Sequence, residues 1–307
     1  MAGMCSRRRA LSMNSMSRPT SLKWKKSRPF FLLILLLLVL LASGCKDTAS
    51  PKVIKIGLIA PFEGPSRPLG YDVLYAVKLR VKQWNEDANQ PKIILVALND
   101  NGDAALAARL PAQLAQDPDV HFILGPVQGH TAMAALPGLA KTGVPTLLLG
   151  PVRDVQADNI IPYAGLGAAY QAILAPKIGI RSPAWTMPVS KPVIWLGDPL
   201  TLAELSQNQP DLVAAAGPVA EEEAFRFWAP ETAANVLRAA PAPQYLPDSF
   251  AMEYEALAGK APTSAAGLAY KATDAALHLI AQSPNLHPTS SQLHLIQQPP
   301  ISMLSNP

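Results

Sequence analysis

The cysteines and histidines of this chain lack the spacing that catalysis or metal binding requires. The two cysteines, Cys5 and Cys45, stand far apart, and the five histidines form no pair at a zinc-site separation. These histidines are His121, His130, His278, His287 and His294. The chain also has no phosphate-binding glycine motif after its first apolar strand, no G-x-S-x-G and no H-E-x-x-H. We therefore expect neither an enzyme nor a bound cofactor or metal ion.

Cys45 ends a segment that predicts export. Basic residues between Lys23 and Arg28 precede an apolar run from Phe30 to Leu41. As a helix this run would extend roughly 18 Å, well short of the roughly 30 Å hydrocarbon core of a membrane. The pattern therefore indicates a signal sequence, and the alternative is an uncleaved signal anchor.

The sequence Leu41-Ala42-Ser43-Gly44-Cys45 resembles the lipobox of bacterial lipoproteins, although Ala42 stands where those proteins prefer leucine. The resemblance implies that residues 1–44 are a lipoprotein signal peptide and that Cys45 carries the lipid that anchors the protein to the membrane. Residues 45–52 would then form a tether outside the cytoplasm.

Removal of the signal reverses the charge of the protein. Residues 1–44 hold eight basic and no acidic residues, so the formal net charge changes from +4 to −4. The high isoelectric point of the whole chain is therefore not a property of the folded part, and we expect no nucleic-acid partner.

Strands and helices alternate after the tether, which predicts an α/β fold with a parallel sheet covered on both faces. The predicted strands of the first half are Val53–Ile59, Lys92–Leu98, His121–Leu124 and Val144–Leu149, and its helices are Leu69–Asp87, Asp103–Gln116 and Gly129–Thr142. In the second half we predict strands Pro192–Leu196 and Asp211–Ala216 and helices Gly165–Ile178, Leu200–Ser206, Ala229–Ala240, Asp248–Ala258 and Thr263–Gln282. Residues 284–307 are rich in Pro, Ser and Gln and predict an irregular tail with at most a short strand at Leu293–Ile296.

Ligands of parallel α/β sheets bind beyond the carboxyl ends of the strands. This rule directs attention to three loops, Ala60–Gly70, Gly125–Thr131 and Gly150–Asp154.

Several motifs resemble the leucine/isoleucine/valine-type substrate-binding proteins of ABC importers. They are, in chain order, IKIGLIAPFEGPSRPLGYDVLYAVKLRVKQWNE, DNGDAALAARLPAQL, DPDVHFILGP, GVP and DSFAMEYEALAGKAPTSAAGLAYKATDAALHLI. Lys271 departs from the last motif, where the family usually has Asp.

The resemblance implies a two-lobed type 1 periplasmic-binding-protein fold, with parallel sheets flanked by helices and a reduced second lobe. Residues 53–155 with 245–283 would form the first lobe, and residues 156–244 the shortened second lobe. Hinge closure would trap a small solute, such as a branched-chain amino acid, another amino acid or an amide, for ABC permease subunits. The alternative is a sensor or protein-interaction lipoprotein of the same fold that does not transport.

Members of the family bind the carboxylate of their ligand with the loops after the third and fourth strands. The resemblance therefore implies ligand contacts in the same two loops of this chain. In the first of these loops the candidates are Gln128, Gly129, His130 and Thr131, the alternative being a capping threonine and a surface histidine. In the second only Gly150 keeps a usable N–H, because Pro151 has none.

Other candidates follow from position and charge. Phe62, Glu63 and Ser66 lie in the first loop, where Glu63 could meet an ammonium group. Arg153 is either a carboxylate clamp or a surface partner of Asp154. Relatives bind the ammonium group of their ligand with an acidic residue of the second lobe. Asp198 is the best candidate for that residue, since Glu221–Glu223 has the pattern of a solvated run.

Overall fold

A computed structural model describes residues 53–179, 181–242 and 246–304. The predicted signal peptide, Cys45 and the predicted tether lie outside these residues. Among the described helices, none is both long and apolar enough to cross a membrane.

The first lobe contains a five-stranded parallel sheet in the order β2-β1-β3-β4-β5. Its strands are β1 Ile54–Ala60, β2 Ile93–Asn99, β3 Val120–Leu124, β4 Thr146–Leu147 and β5 Ile160–Ile161. β1 and β3 lie in the middle and are almost wholly buried, as their continuous apolar sequences predict. Ile160–Ile161, which the sequence analysis assigned to the second lobe, pairs with β4 in this sheet.

Helices cover both faces of the first sheet. They are α1 Arg67–Glu86, α2 Ala104–Ala107, α3 Leu110–Leu114 and α4 Gly129–Thr142, together with α9 Phe250–Ala258 and α10 Ser264–Gln282 from the end of the chain. α1 and α10 pack side by side, and Arg80 Nε donates to Asp274 Oδ1 across 2.8 Å. The late helices thus complete the core of the first lobe.

The predicted helix Asp103–Gln116 is two short helices. Asp103 caps the first, since its carboxylate accepts a hydrogen bond from the Leu106 N–H at 2.7 Å. Pro111 lies in the first turn of the second, where its missing N–H is tolerated, and it could not continue the helix that precedes it.

The second lobe is built on a three-stranded parallel sheet, β6-β7-β8. Its elements in chain order are α5 Gly167–Ile178, β6 Ser182–Ala184, β7 Val193–Trp195, α6 Pro199–Asn208, β8 Val213–Ala216, α7 Glu223–Trp228 and α8 Pro230–Asn235. Trp195 and Phe225 are fully buried in its core. The lobe therefore has its own core despite its few strands.

Two predictions near the hinge are wrong. The predicted helix Ala229–Ala240 ends at Asn235, and the following β9 Ala239–Pro241 pairs antiparallel with β10 Ile301–Met303. The alanines favour a helix locally, but pairing with a distant segment overrides that preference. The tail accordingly contains β10 and a short helix, α11 Ser290–Leu293, in place of the strand expected at Leu293–Ile296.

Candidate ligand-binding site

A cavity of about 290 Å³ lies between the two lobes. The loops after β3, β4, β7 and β8 line it, and so do the first turns of α1 and α10 and strand β9. The carboxyl ends of strands from both sheets thus converge on one cavity, as the rule for parallel α/β sheets predicts.

The walls of the cavity divide into an apolar part and a charged part. The apolar side chains are Leu69, Val73, Val127, Leu149, Leu196, Val219 and Leu268. The charged side chains are Asp72, Glu221, Glu222, Glu223, Arg226 and Lys260. Lys260 Nζ lies 2.6 Å from Asp72 Oδ1, so this pair neutralises itself at the edge of the cavity. The remaining charge is predominantly negative.

Glu222 is the central polar residue of the site. It belongs to the second lobe but is only 7% exposed, because it packs against the first lobe. The Gln128 Nε2 group donates to both carboxylate oxygens, at 3.0 and 2.8 Å, and also to Ser66 Oγ at 2.7 Å. The interpretation of Glu221–Glu223 as a solvated run is therefore wrong for Glu222.

Burial raises the pKa of the Glu222 carboxyl to about 7. Hydrogen bonds from Gln128 and Ser66 act against this rise in pKa, whereas the nearby carboxylates of Asp198 and Asp100 add to it. The site therefore holds an acid that is close to half ionised at neutral pH.

Direct contacts join the lobes around the cavity. Ser264 Oγ of the first lobe donates to Glu221 Oε2 of the second at 2.7 Å. On the other side, the Trp185 Nε1–H donates to the Pro151 carbonyl at 2.8 Å. Gly129 allows the closest approach, since a Cβ atom there would lie 2.1 Å from the Leu196 carbonyl oxygen.

Three of the residues predicted from sequence meet at the cavity. Gln128 and Gly129 line it, and Ser66 joins them through its hydrogen bond with Gln128. Gln128 and Ser66 are the N-cap residues of α4 and α1, so two helix N-termini point toward the same place. Their role as ligand contacts stays a prediction.

Three further predicted residues are buried beside the cavity but bond within their own lobe. Thr131 Oγ1 donates to the Gln128 carbonyl at 3.1 Å, and the Gly150 N–H donates to the Pro126 carbonyl at 2.9 Å. His130 is buried, not a surface residue, and its Nε2 lies 2.8 Å from the Gly102 carbonyl oxygen. The Thr131 hydroxyl and the Gly150 N–H thus already form hydrogen bonds within the protein.

The remaining four predicted residues lie outside the cavity lining. Phe62 packs edge-on against Tyr71, and Glu63 is exposed. Asp198 caps α6 by accepting from the Thr201 N–H at 2.8 Å.

Arg153, the last of these four, lies over the Trp185 ring at 5.6 Å from its centroid and is exposed. It stacks on the aromatic ring beside the point where the lobes meet.

Sequence reasoning missed Asp72, Glu222, Arg226 and Lys260. Asp72 carries a local signal, because it is an acid on the apolar face of α1 and is 4% exposed. Glu222 carries none, since its burial depends on Gln128, which lies 94 positions earlier.

No group of three His, Cys, Asp or Glu side chains suited to a metal ion occurs in the part of the chain that the structure describes.

Comparison with known proteins gives one family match and many structural matches. Residues 53–172 match the family model described as periplasmic binding protein. No curated protein matches the chain.

Three solved structures illustrate the structural likeness. LivJ of Streptococcus pneumoniae in complex with isoleucine is 17% identical, with 79% of this chain and 88% of that chain covered and a TM-score of 0.57. The leucine-binding protein LivK of Thermotoga maritima is 17% identical, with 78% and 85% covered and a TM-score of 0.59. A solute-binding protein of R. palustris in complex with benzoate is 16% identical, with 79% and 84% covered and a TM-score of 0.54. The resemblance seen in the sequence is thus confirmed: residues 53–172 match the periplasmic binding protein family, and the described chain has the type 1 fold of these proteins with a reduced second lobe.

Proposed function

We propose that this protein is the solute-binding component of an ABC importer, held outside the cytoplasm by a lipid on Cys45. It captures a small solute between its lobes and presents the closed form to permease subunits. It performs no covalent chemistry on the solute.

The observation that carries this proposal is the cavity between two α/β lobes. Its volume of about 290 Å³ is just below the roughly 300–1,000 Å³ usual for small-molecule sites. The size suits an amino acid, an amide or a solute of similar dimensions. The buried Glu222 is the acid of the second lobe best placed to meet an ammonium group.

Binding would drive closure because the solute contacts both lobes at once. A ligand shifts a conformational equilibrium only by its difference in affinity for the two states. Here Val127 of the first lobe and Val219 of the second both line the cavity, so the closed form offers contacts that an open form lacks. A permease that recognises the closed pair of lobes would then receive loaded protein.

The second candidate function is a sensor or interaction lipoprotein of the same fold. It is favoured by the internal use of Thr131 Oγ1 and the Gly150 N–H, the groups that the family resemblance assigned to the ligand. The small second sheet favours it as well.

A thermal-shift screen tests the binding function. The soluble form beginning at Lys46 would be heated with amino acids, amides, small carboxylates and small amines. A ligand at a hundred times its dissociation constant stabilises the fold by about 2.7 kcal/mol, which for a chain of this size raises the melting temperature by roughly 5–10 °C. No shift from any member of the panel would contradict solute binding.

Uptake measurements then separate transport from sensing. Cells that lack this protein should lose high-affinity uptake of the radiolabelled ligand and regain it when the protein is restored. Normal uptake in its absence would favour the sensor. Recovery of the ligand with an altered mass after incubation with the purified protein would contradict both functions and indicate an enzyme.

A further inference from the structure

We propose that the cavity selects a small amine with an apolar body and does not require a carboxylate on its ligand, a proposal that rests on the solute-binding function above. The basis is the buried Glu222 carboxylate in the cavity lining, whose hydrogen-bond partners are neutral side chains.

The Glu222 carboxylate is held by the side chains of two residues that precede long helices. It bonds to Gln128, the N-cap of the 14-residue α4, and to Ser66, the N-cap of the 20-residue α1. Helix N-termini are favourable places for an anion because their free N–H groups and dipoles carry partial positive charge. The protein thus supplies its own carboxylate at this position.

The loop after β4 offers little to a ligand carboxylate. The Leu149 and Gly150 N–H groups both donate to the Pro126 carbonyl, and Pro151 has no N–H. A Cβ atom on Gly129 would lie 2.1 Å from the Leu196 carbonyl oxygen and 3.1 Å from that of Pro151. The protein itself therefore fills the space beside the Gly129 Cα, which leaves no room for a ligand carboxylate there.

Charge around Glu222 favours a cation. The partners named above, Gln128 and Ser66, are neutral, and the nearby Asp198 and Asp100 are acidic. A buried carboxylate is costly without a positive partner, so an ammonium group of the ligand would supply what the protein lacks. Lys260 is committed to Asp72, and Arg226 lies at the exposed edge of the lining beside Glu223.

The rest of the lining suits an alkyl group of moderate size. Val73, Val127, Leu149, Val219 and Leu268 enclose the remaining space and offer no charge. The ligand class is therefore a primary amine with a branched or aromatic hydrocarbon body.

A matched series of three ligands tests the proposal by calorimetric titration of the soluble form beginning at Lys46. The series is leucine, 3-methylbutylamine, which is leucine without its carboxylate, and 4-methylpentanoate, which lacks the ammonium group. We expect the amine to bind at least as tightly as leucine and the carboxylate not to bind. Tighter binding of leucine than of the amine, or saturable binding of 4-methylpentanoate, would overturn the proposal.

The Glu222→Gln variant provides a second readout. Loss of the charged hydrogen bond should weaken binding of the amine by about 10- to 100-fold and weaken binding of leucine less, because leucine is at the same time relieved of the repulsion between its carboxylate and Glu222. Glu204→Gln, an exposed residue of α6, is the matched control and should change neither affinity. Unchanged affinity for the amine in Glu222→Gln would overturn the role of Glu222.

The failure of this proposal differs from the failure of the proposed function. If leucine or another member of the wider panel binds and the amine does not, the protein binds solutes but the amine selectivity is wrong. If the whole panel produces no binding, both proposals are wrong.

Discussion

At the scale of single residues, the site depends on an acid that the protein buries at a cost. Glu222 is hydrogen-bonded to neutral side chains, without an ion pair among the residues that the structure describes, and its ionised form is disfavoured by burial and by Asp198 and Asp100. Folding alone would be served better by a neutral side chain. A residue retained against stability in a cavity is typical of binding sites.

This cost predicts how stability depends on pH. The pKa of Glu222 is about 7 in the folded protein and near its ordinary value of 4.5 in the unfolded chain. The folded state therefore binds the proton more tightly, and Glu222 lowers the free energy of unfolding by up to about 3 kcal/mol as pH rises from about 4.5 to 7.

Glu222→Gln should remove that loss, so the variant should be more stable than the wild type at pH 8 and nearly equal at pH 4.5. Urea denaturation at a series of pH values measures this difference, with Glu204→Gln as the control. Equal stability of Glu222→Gln and the wild type at pH 8 would contradict the buried, unpaired state of Glu222.

Single residues also show which parts of the site the sequence could predict and which it could not. Gln128, Gly129 and Ser66 were predicted because strand ends in a parallel sheet define the loops near a ligand. Glu222 was not, because three consecutive glutamates look solvated until the other lobe is placed against them. Asp198 seemed the better acid from sequence, yet it caps a helix.

At the scale of elements, prediction succeeded where local signals suffice. α4 begins at Gly129 and ends at Thr142 as its sequence predicts, with Gly143 in the left-handed conformation after it. The pairing of β9 with β10 was missed because these strands have three residues each and lie far apart in the sequence. Such short strands carry no periodicity that a sequence reading can use.

The two lobes approach each other closely at the N-terminus of α4, which gives a prediction for Gly129→Ala. The new methyl group would collide with the Leu196 carbonyl, 2.1 Å from the ideal Cβ position, and force the lobes apart. We expect ligand affinity to fall at least tenfold, with a loss of stability of about 1–3 kcal/mol. Calorimetric titration and urea denaturation measure the two effects.

The control for this variant is Gly143→Ala at the opposite end of the same helix. A Cβ atom there would meet nothing within 4 Å, but the positive φ of 68° strains an alanine. We expect a stability loss of about 1 kcal/mol and no change in affinity. Wild-type affinity in Gly129→Ala would show that close approach at this point is not needed for binding.

At the scale of the whole molecule, the chain crosses between the lobes and returns. The late helices α9 and α10 complete the first lobe, and β9 with β10 lies beside the passage between the lobes. Sequence motifs at both ends of the chain predicted this return, because the segment DSFAMEYEALAGKAPTSAAGLAYKATDAALHLI resembles part of the family's first lobe. How far the lobes separate depends on contacts that no local pattern encodes.

Membrane attachment is a further property of the whole molecule. If Cys45 carries the lipid, Cys45→Ser should remove metabolic labelling with radioactive palmitate and release the protein from the membrane fraction. Folding of the soluble part should be unaffected, because the substitution lies outside the residues that form the two lobes and the second lobe has its own core. Membrane association that persists in Cys45→Ser would support the uncleaved signal anchor.

Filling the space between the lobes tests most directly whether the cavity binds the solute. Ala265 is half-buried in the first turn of α10 and lines the cavity, so Ala265→Trp should fill it, while Ala251→Trp places the same side chain on the exposed face of α9. Calorimetric titration with a solute from the screen should give one site per chain in the wild type and in Ala251→Trp, and no heat of binding in Ala265→Trp. Binding by Ala265→Trp with the affinity of the wild type would contradict the account.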